Sequence, residues 1–156
     1  MLALRERTTM QAIRFNSIPI ELRRMSPGEH DDLTRFFRNT GYPAQVEPTI
    51  AWGAWRASEL AACVALSLEE GTWVLRGPEV LGDLRRRGIG KRLLEAAKAE
   101  LAGRTTYCVA YSHLRRLYAS IGFRACSFGE RPDFLRKRAN ALRTVGWDVV
   151  MLIRTA

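Results

Sequence analysis

The chain has 156 residues, 47% hydrophobic and 26% charged, the balance of one ordinary globular domain able to bury roughly two thirds of its unfolded surface. Its longest apolar runs, such as residues 60–66, have strand length, so no transmembrane span is expected; the opening MLALRERTTM lacks an apolar segment after its charges, which argues against a secretory signal. A formal charge of +9 fits an anionic partner: a polyphosphate cofactor, RNA, an acidic protein or a membrane surface. Charge alone does not choose among these, because single arginines are often solvated helix faces.

Residues 1–16 show no clear periodicity and read as a loose arm before a single domain over 17–156. Residues 18–25 (IPIELRRM) alternate Ile18, Ile20 and Leu22 and predict a strand at or near a sheet edge, with Pro19 at its start. Ser26-Pro27-Gly28-Glu29 is a helix-start signal: a capping serine, a proline suited to the first position and a glutamate completing a capping box. Leu33, Phe36 and Phe37 share a face of that helix, and Gly41 ends it. After an irregular linker over 42–48, residues 49–57 and 60–68 predict a hairpin turning at Ser58-Glu59. Residues 73–81 (WVLRGPEVL) form the next strand, and Gly77-Pro78 inside it predicts a bulge or splay.

From Gly88 the apolar positions Ile89, Leu93, Ala96, Ala97 and Leu101 recur at helical spacing up to Gly103. Residues 105–110 predict a strand, Ser112 caps a helix carrying Leu114, Leu117, Tyr118 and Ile121, residues 123–128 form a short strand, 132–144 a helix and 147–153 a last strand. Hairpins and crossovers together imply an α/β or α+β layer fold around one mixed sheet. Cys63, Cys108 and Cys126 fall in no CxxC or Cys/His ligand spacing; they read as small core residues in a reduced, cytoplasmic setting, and no metal site is expected.

The stretch 80–101 (VLGDLRRRGIGKRLLEAAKAEL) is the centre of the functional argument. A strand feeding a glycine-containing turn at a helix N-terminus places free N–H groups and the positive end of the helix dipole where an anion can sit. A P-loop would need glycine at Arg85 and Ser or Thr at Arg92, and a dinucleotide fingerprint starting at Gly88 would need its third glycine at Leu93; both fail. What remains is Arg85-x-x-Gly88-x-Gly90. This resembles the acyl-CoA signature of the GNAT N-acetyltransferase superfamily, and Leu117-Tyr118-Ala119-Ser120-Ile121-Gly122-Phe123 is similar to that family's LYxxxGF segment. In element order the resemblance covers residues 18–153.

The resemblance implies a mostly antiparallel mixed sheet, splayed near Gly77-Pro78 and flanked by helices. It implies acetyl-CoA as co-substrate, with its pyrophosphate on the backbone of Arg86, Arg87, Gly88, Ile89, Gly90 and Lys91 after Arg85, and its pantetheine arm along Pro78, Glu79 and Val80. Transfer to a primary amine is direct, a backbone N–H near Glu79-Val80 serves the oxyanion, and Tyr118 matches the tyrosine that protonates the departing sulfur. The alternative reading of Tyr118, favoured if the motif is set aside, is a core tyrosine on an apolar face. The general base stays open between Glu79, His113 and a water chain, while His30 reads as a surface group. Tyr111 stands where many relatives carry asparagine. Lys98, Arg115 and Arg116 either meet the 3′-phosphate or face solvent. The acceptor is a small-molecule or protein amine. Arg136-Lys137-Arg138 and Arg143 keep open an anionic acceptor such as a charged tRNA; a non-catalytic CoA- or RNA-binding module, without membrane association, and a homodimer stay open as well.

Overall fold

The computed structural model describes residues 11–15, 18–43 and 45–156. Among them the elements run β1 (Gln11–Phe15), β2 (Ile18–Arg24), α1 (His30–Asn39), β3 (Ile50–Arg56), β4 (Glu59–Glu69), β5 (Thr72–Val80), α2 (Ile89–Leu101), β6 (Thr106–Tyr111), α3 (Arg115–Ala119), β7 (Arg124–Ala125), α4 (Asp133–Thr144) and β8 (Val149–Arg154). They build one sheet of order β1-β2-β3-β4-β5-β6-β8-β7, in which only the β5–β6 pair is parallel. The mixed, mostly antiparallel sheet expected from the motifs is therefore present.

Several boundaries differ from the sequence reading. Gln11–Phe15 fall inside the expected arm yet pair antiparallel with β2, from Gln11↔Leu22 to Phe15↔Ile18; the rest of that arm, 1–10 and 16, lies outside the described residues. The β3–β4 turn centres on Ala57 and Ser58, with Arg56 opposite Glu59. Ser112 does not cap a helix: its hydroxyl donates to Asp148 at 2.8 Å. Only two residues of 123–128 are strand, because Ser127 starts a second capping box in which its N–H and hydroxyl both donate to Glu130. The predicted box at α1 does form, with Ser26 donating to Glu29, and Arg23 holds the same carboxylate through two 2.7 Å contacts.

Side-chain alternation divides the core between the two sheet faces. Cys63 and Ala65 of β4 pack with Leu33, Phe36 and Phe37 of α1, while Val74, Val149, Met151 and Ile153 pack with Leu135 and Ala139 of α4 on that same face. Ala62, Val64 and Leu66 point the other way, onto Ile89, Leu93, Leu94 and Leu101 of α2 and onto Tyr118 of α3. Helices α1 and α4 thus cover one face, α2 and α3 the other.

A partly buried charged network joins α4 to the sheet. Arg76, 3% exposed, donates to Glu69 at 3.1 Å, and Arg138 donates to the same carboxylate at 2.7 Å. One carboxylate holds two guanidinium groups, which is tolerable only while all three stay together.

Candidate active site

The sheet opens where β5 and β6 part. They pair only at Trp73↔Thr106 and Val74↔Tyr107. On the β4 side the register skips at the same level, so that Val64 stands against both Gly77 and Pro78. Glycine is required there: φ is +87°, and a Cβ would come within 3.0–3.2 Å of Glu79 N, Cys63 O and the Phe37 ring. Pro78, joined to Gly77 by a cis peptide bond, has no N–H for a ladder. The Tyr118 hydroxyl, donating to Gly77 O at 2.7 Å, ties the bulge to α3.

A cleft of about 840 Å³ occupies this opening. One end is the α2 N-terminus, where Arg85, Arg86, Gly88, Ile89, Gly90 and Lys91 all reach the wall. Gly88 caps the helix at φ +79°, so the N–H groups of Ile89, Gly90 and Lys91 have no acceptor within the helix. Gly90 sits under the strand: a Cβ there would lie 3.3 Å from Pro78 Cγ and 3.9 Å from Val80 Cγ2. Bare helix N–H groups, two flanking arginines and a lysine suit a pyrophosphate. The fit is good.

The middle of the cleft is the open side of β5, formed by Pro78, Glu79 and Val80. Leu81 N–H is bonded to Ala61 O at 2.9 Å, so the alternation of an antiparallel ladder turns the Val80 N–H away from β4, toward the opening. Glu79 shares its sheet face with its partner Cys63, the α1 side. Its carboxylate accepts from Arg85 at 3.3 Å. Burial pushes its pKa above the usual carboxylate range, opposed by Arg85 and by the Thr40 hydroxyl.

The far end is aromatic. Tyr111 stacks between Trp147 and His113, with ring centroids 5.2 Å and 5.6 Å apart and planes 18° from parallel in each pair. Tyr42 and Thr40, from the loop after α1, close this end. Trp147 carries no periodic or motif signal and escaped the sequence reading as a site residue, whereas Tyr42 opens the irregular linker over 42–48. The stack gives Tyr111 a packing role that its sequence position did not disclose.

The other expected residues are placed as follows. Tyr118 is 3% exposed and packs edge-on to Phe123 at 6.1 Å; it belongs to the core and does not line the cleft. Burial, with Cys108, Tyr42 and Glu79 adding, pushes its phenol well above 10 and keeps it protonated. Arg87 lies near Asp83, outside the cleft wall. Lys98 is about 13 Å along α2 from Ile89. Arg115 and Arg116 are exposed while their neighbours Leu114 and Leu117 face the cleft. His113 reaches the wall; His30 does not. Of the basic cluster, Arg136 pairs with Asp133 at 3.1 Å and Arg138 with Glu69, and Arg143 donates to Val149 O at 3.0 Å.

Comparison with known proteins agrees with this geometry. Residues 47–125 match the family model of the acetyltransferase (GNAT) domain. The chain belongs to the GNAT acetyltransferase family. It is an acyltransferase by that membership. No curated protein sequence matches it significantly. Among solved structures the fold is similar to Escherichia coli ElaA (TM-score 0.59, 19% identity, 87% of this chain and 99% of that one). It is similar to Arabidopsis thaliana NAA60 in complex with acetyl-CoA (0.56, 18%, 86% and 97%). It is also similar to N-acetylglutamate synthase from Neisseria gonorrhoeae, complexed with coenzyme A and L-arginine (0.57, 17%, 86%), of which it spans only 32%. Among the described residues, no helix of this GNAT protein is long and apolar enough to cross a membrane.

Proposed function

We propose that this protein moves an acetyl group from acetyl-CoA to a primary amine by direct attack, with Glu79 as the base. The observation that carries the reading is the continuity of one cleft, from the phosphate-suited cradle of α2, along the open side of β5, to a carboxylate beside an aromatic end. Acetyl-CoA, when bound, supplies an activated acyl carbon. Ile89, Gly90 and Lys91 hold its phosphates by their N–H groups, and Pro78 to Val80 lie along its arm. The Val80 N–H serves the oxygen on which charge develops.

The cradle helix lies on one sheet face and Glu79 on the other, so acceptor and donor approach the opening from opposite sides. An ammonium enters past Tyr42, Tyr111 and Trp147. Its N–H bond breaks, the electron pair stays on nitrogen, and the proton passes to a Glu79 carboxylate oxygen, directly or through one water; that pair then forms the N–C bond as the C–S bond breaks with its pair on sulfur, and the second proton of the nitrogen leaves to solvent. Burial raises the pKa of this carboxylate and so makes it a stronger base for the transfer. Tyr118 is the protonated group beside Gly77 that can return a proton to the leaving sulfur, once its O–H exchanges the Gly77 carbonyl for that acceptor.

Calorimetry with acetyl-CoA, followed by thiol release across a panel of amines, tests the reading. Absence of binding at high concentration ends it. Binding without release on any amine rejects a primary amine as the acceptor. The anionic acceptor is the weaker alternative, since Arg136 and Arg138 are engaged in ion pairs.

A further inference from the structure

Arg85 stands at the junction of the two halves of the cleft. It follows the short turn after β5 and lines the cradle, yet its side chain turns back onto the strand: Nη2 lies 3.3 Å from Glu79 Oε1, and Nε donates to Val80 O at 3.1 Å. The two partners are unequally placed. The Glu79 side chain is 13% exposed, whereas that of Arg85 is 59% exposed. An ion pair with one partner in water is weak and exchangeable. A pyrophosphate offers a guanidinium more charge and a better bidentate geometry than a single carboxylate oxygen at 3.3 Å.

We propose that Arg85 is a positioning residue that masks the Glu79 carboxylate until the cradle fills, and that the entering pyrophosphate draws the guanidinium away and uncovers the base. The proposal rests on the reading that the cradle takes CoA and that Glu79 is the base. It orders the reaction: donor first, then acceptor. With Arg85 withdrawn, Glu79 keeps burial and Thr40 but loses its cation, so its proton affinity rises when an acceptor needs a base. The other titratable groups around it are Cys63 on β4, Tyr42 after α1, Tyr111 on β6 and Tyr118 on α3. All four have pKa values raised by burial and stay neutral. Arg86 and Lys91, the other cations on the wall, line the cradle and face the same incoming phosphates.

The test is a carbon-13 NMR titration of the Glu79 carboxyl, identified by its loss in Glu79→Gln, in free and CoA-saturated protein, with CoA binding followed by calorimetry. In the unsubstituted protein, CoA shifts the Glu79 midpoint upward. In Arg85→Gln the midpoint is already raised without CoA, CoA adds a smaller step, and CoA affinity falls about tenfold. A midpoint unmoved by bound CoA overturns the proposal. So does an equal CoA-induced step in both proteins, which would be the direct field of the phosphates alone. Failure of CoA to bind the unsubstituted protein overturns the cradle reading instead, and the ligand-free comparison of the two proteins still reports whether Arg85 holds Glu79 ionised.

Discussion

The hydroxyl of Tyr118 donates to the carbonyl oxygen of Gly77 at 2.7 Å, joining residues 41 positions apart across the point where the sheet opens. The bond is buried, so removing the hydroxyl leaves a carbonyl without a partner. Tyr118→Phe is expected to lose about 1–2 kcal/mol of stability, seen as a fall of several degrees in Tm. It is also expected to lower turnover while leaving acetyl-CoA affinity unchanged. Unchanged turnover in a destabilised protein would confine Tyr118 to holding the bulge.

Glu79 predicts a pH dependence. Its pKa is raised by burial, and it acts only when ionised, so kcat/KM should climb with pH through that raised value. Glu79→Gln should abolish the limb and reduce kcat about 100-fold or more. A profile identical in both proteins would assign the titration to another group.

The two cradle glycines should respond in opposite directions. Gly88 has φ +79° with open space around a Cβ, so Gly88→Ala pays only backbone strain, about 1 kcal/mol. Gly90 is the second residue of α2, where alanine is the better helix former, but its Cβ would press on Pro78 at 3.3 Å in the cleft floor. Gly90→Ala should keep or gain stability while weakening CoA binding. Urea denaturation and calorimetry on the pair separate the two effects.

Glu69 holds Arg76 and Arg138 together. Glu69→Gln leaves the buried Arg76 without a counter-charge and should cost about 3–5 kcal/mol. Arg35→Ala, which breaks only an exposed pair with Asp32, should change stability by less than about 0.5 kcal/mol. Denaturant midpoints of the two variants, compared at constant slope, check this contrast.

Local chemistry was enough to read much of this protein from its residues. The capping box at Ser26 and Glu29, the apolar faces of α1 and α2, and the splay at Gly77-Pro78 follow from spacing and backbone preference, which act within a few residues. The cradle at Arg85-x-x-Gly88-x-Gly90 was legible for the same reason: a helix N-terminus carries its free N–H groups wherever it lies. Ser112 misled because a serine hydroxyl caps only if nothing better is near, and Asp148, 36 residues on, was better placed. The aromatic end of the cleft brings Tyr42, Tyr111 and Trp147 from three separate segments, and no periodicity connects them. The same holds for the commitment of Tyr118 to Gly77 and of Arg85 to Glu79. Each depends on where side chains end after the sheet has closed, so sequence named the cradle, while packing across the β5–β6 opening determined what faces it.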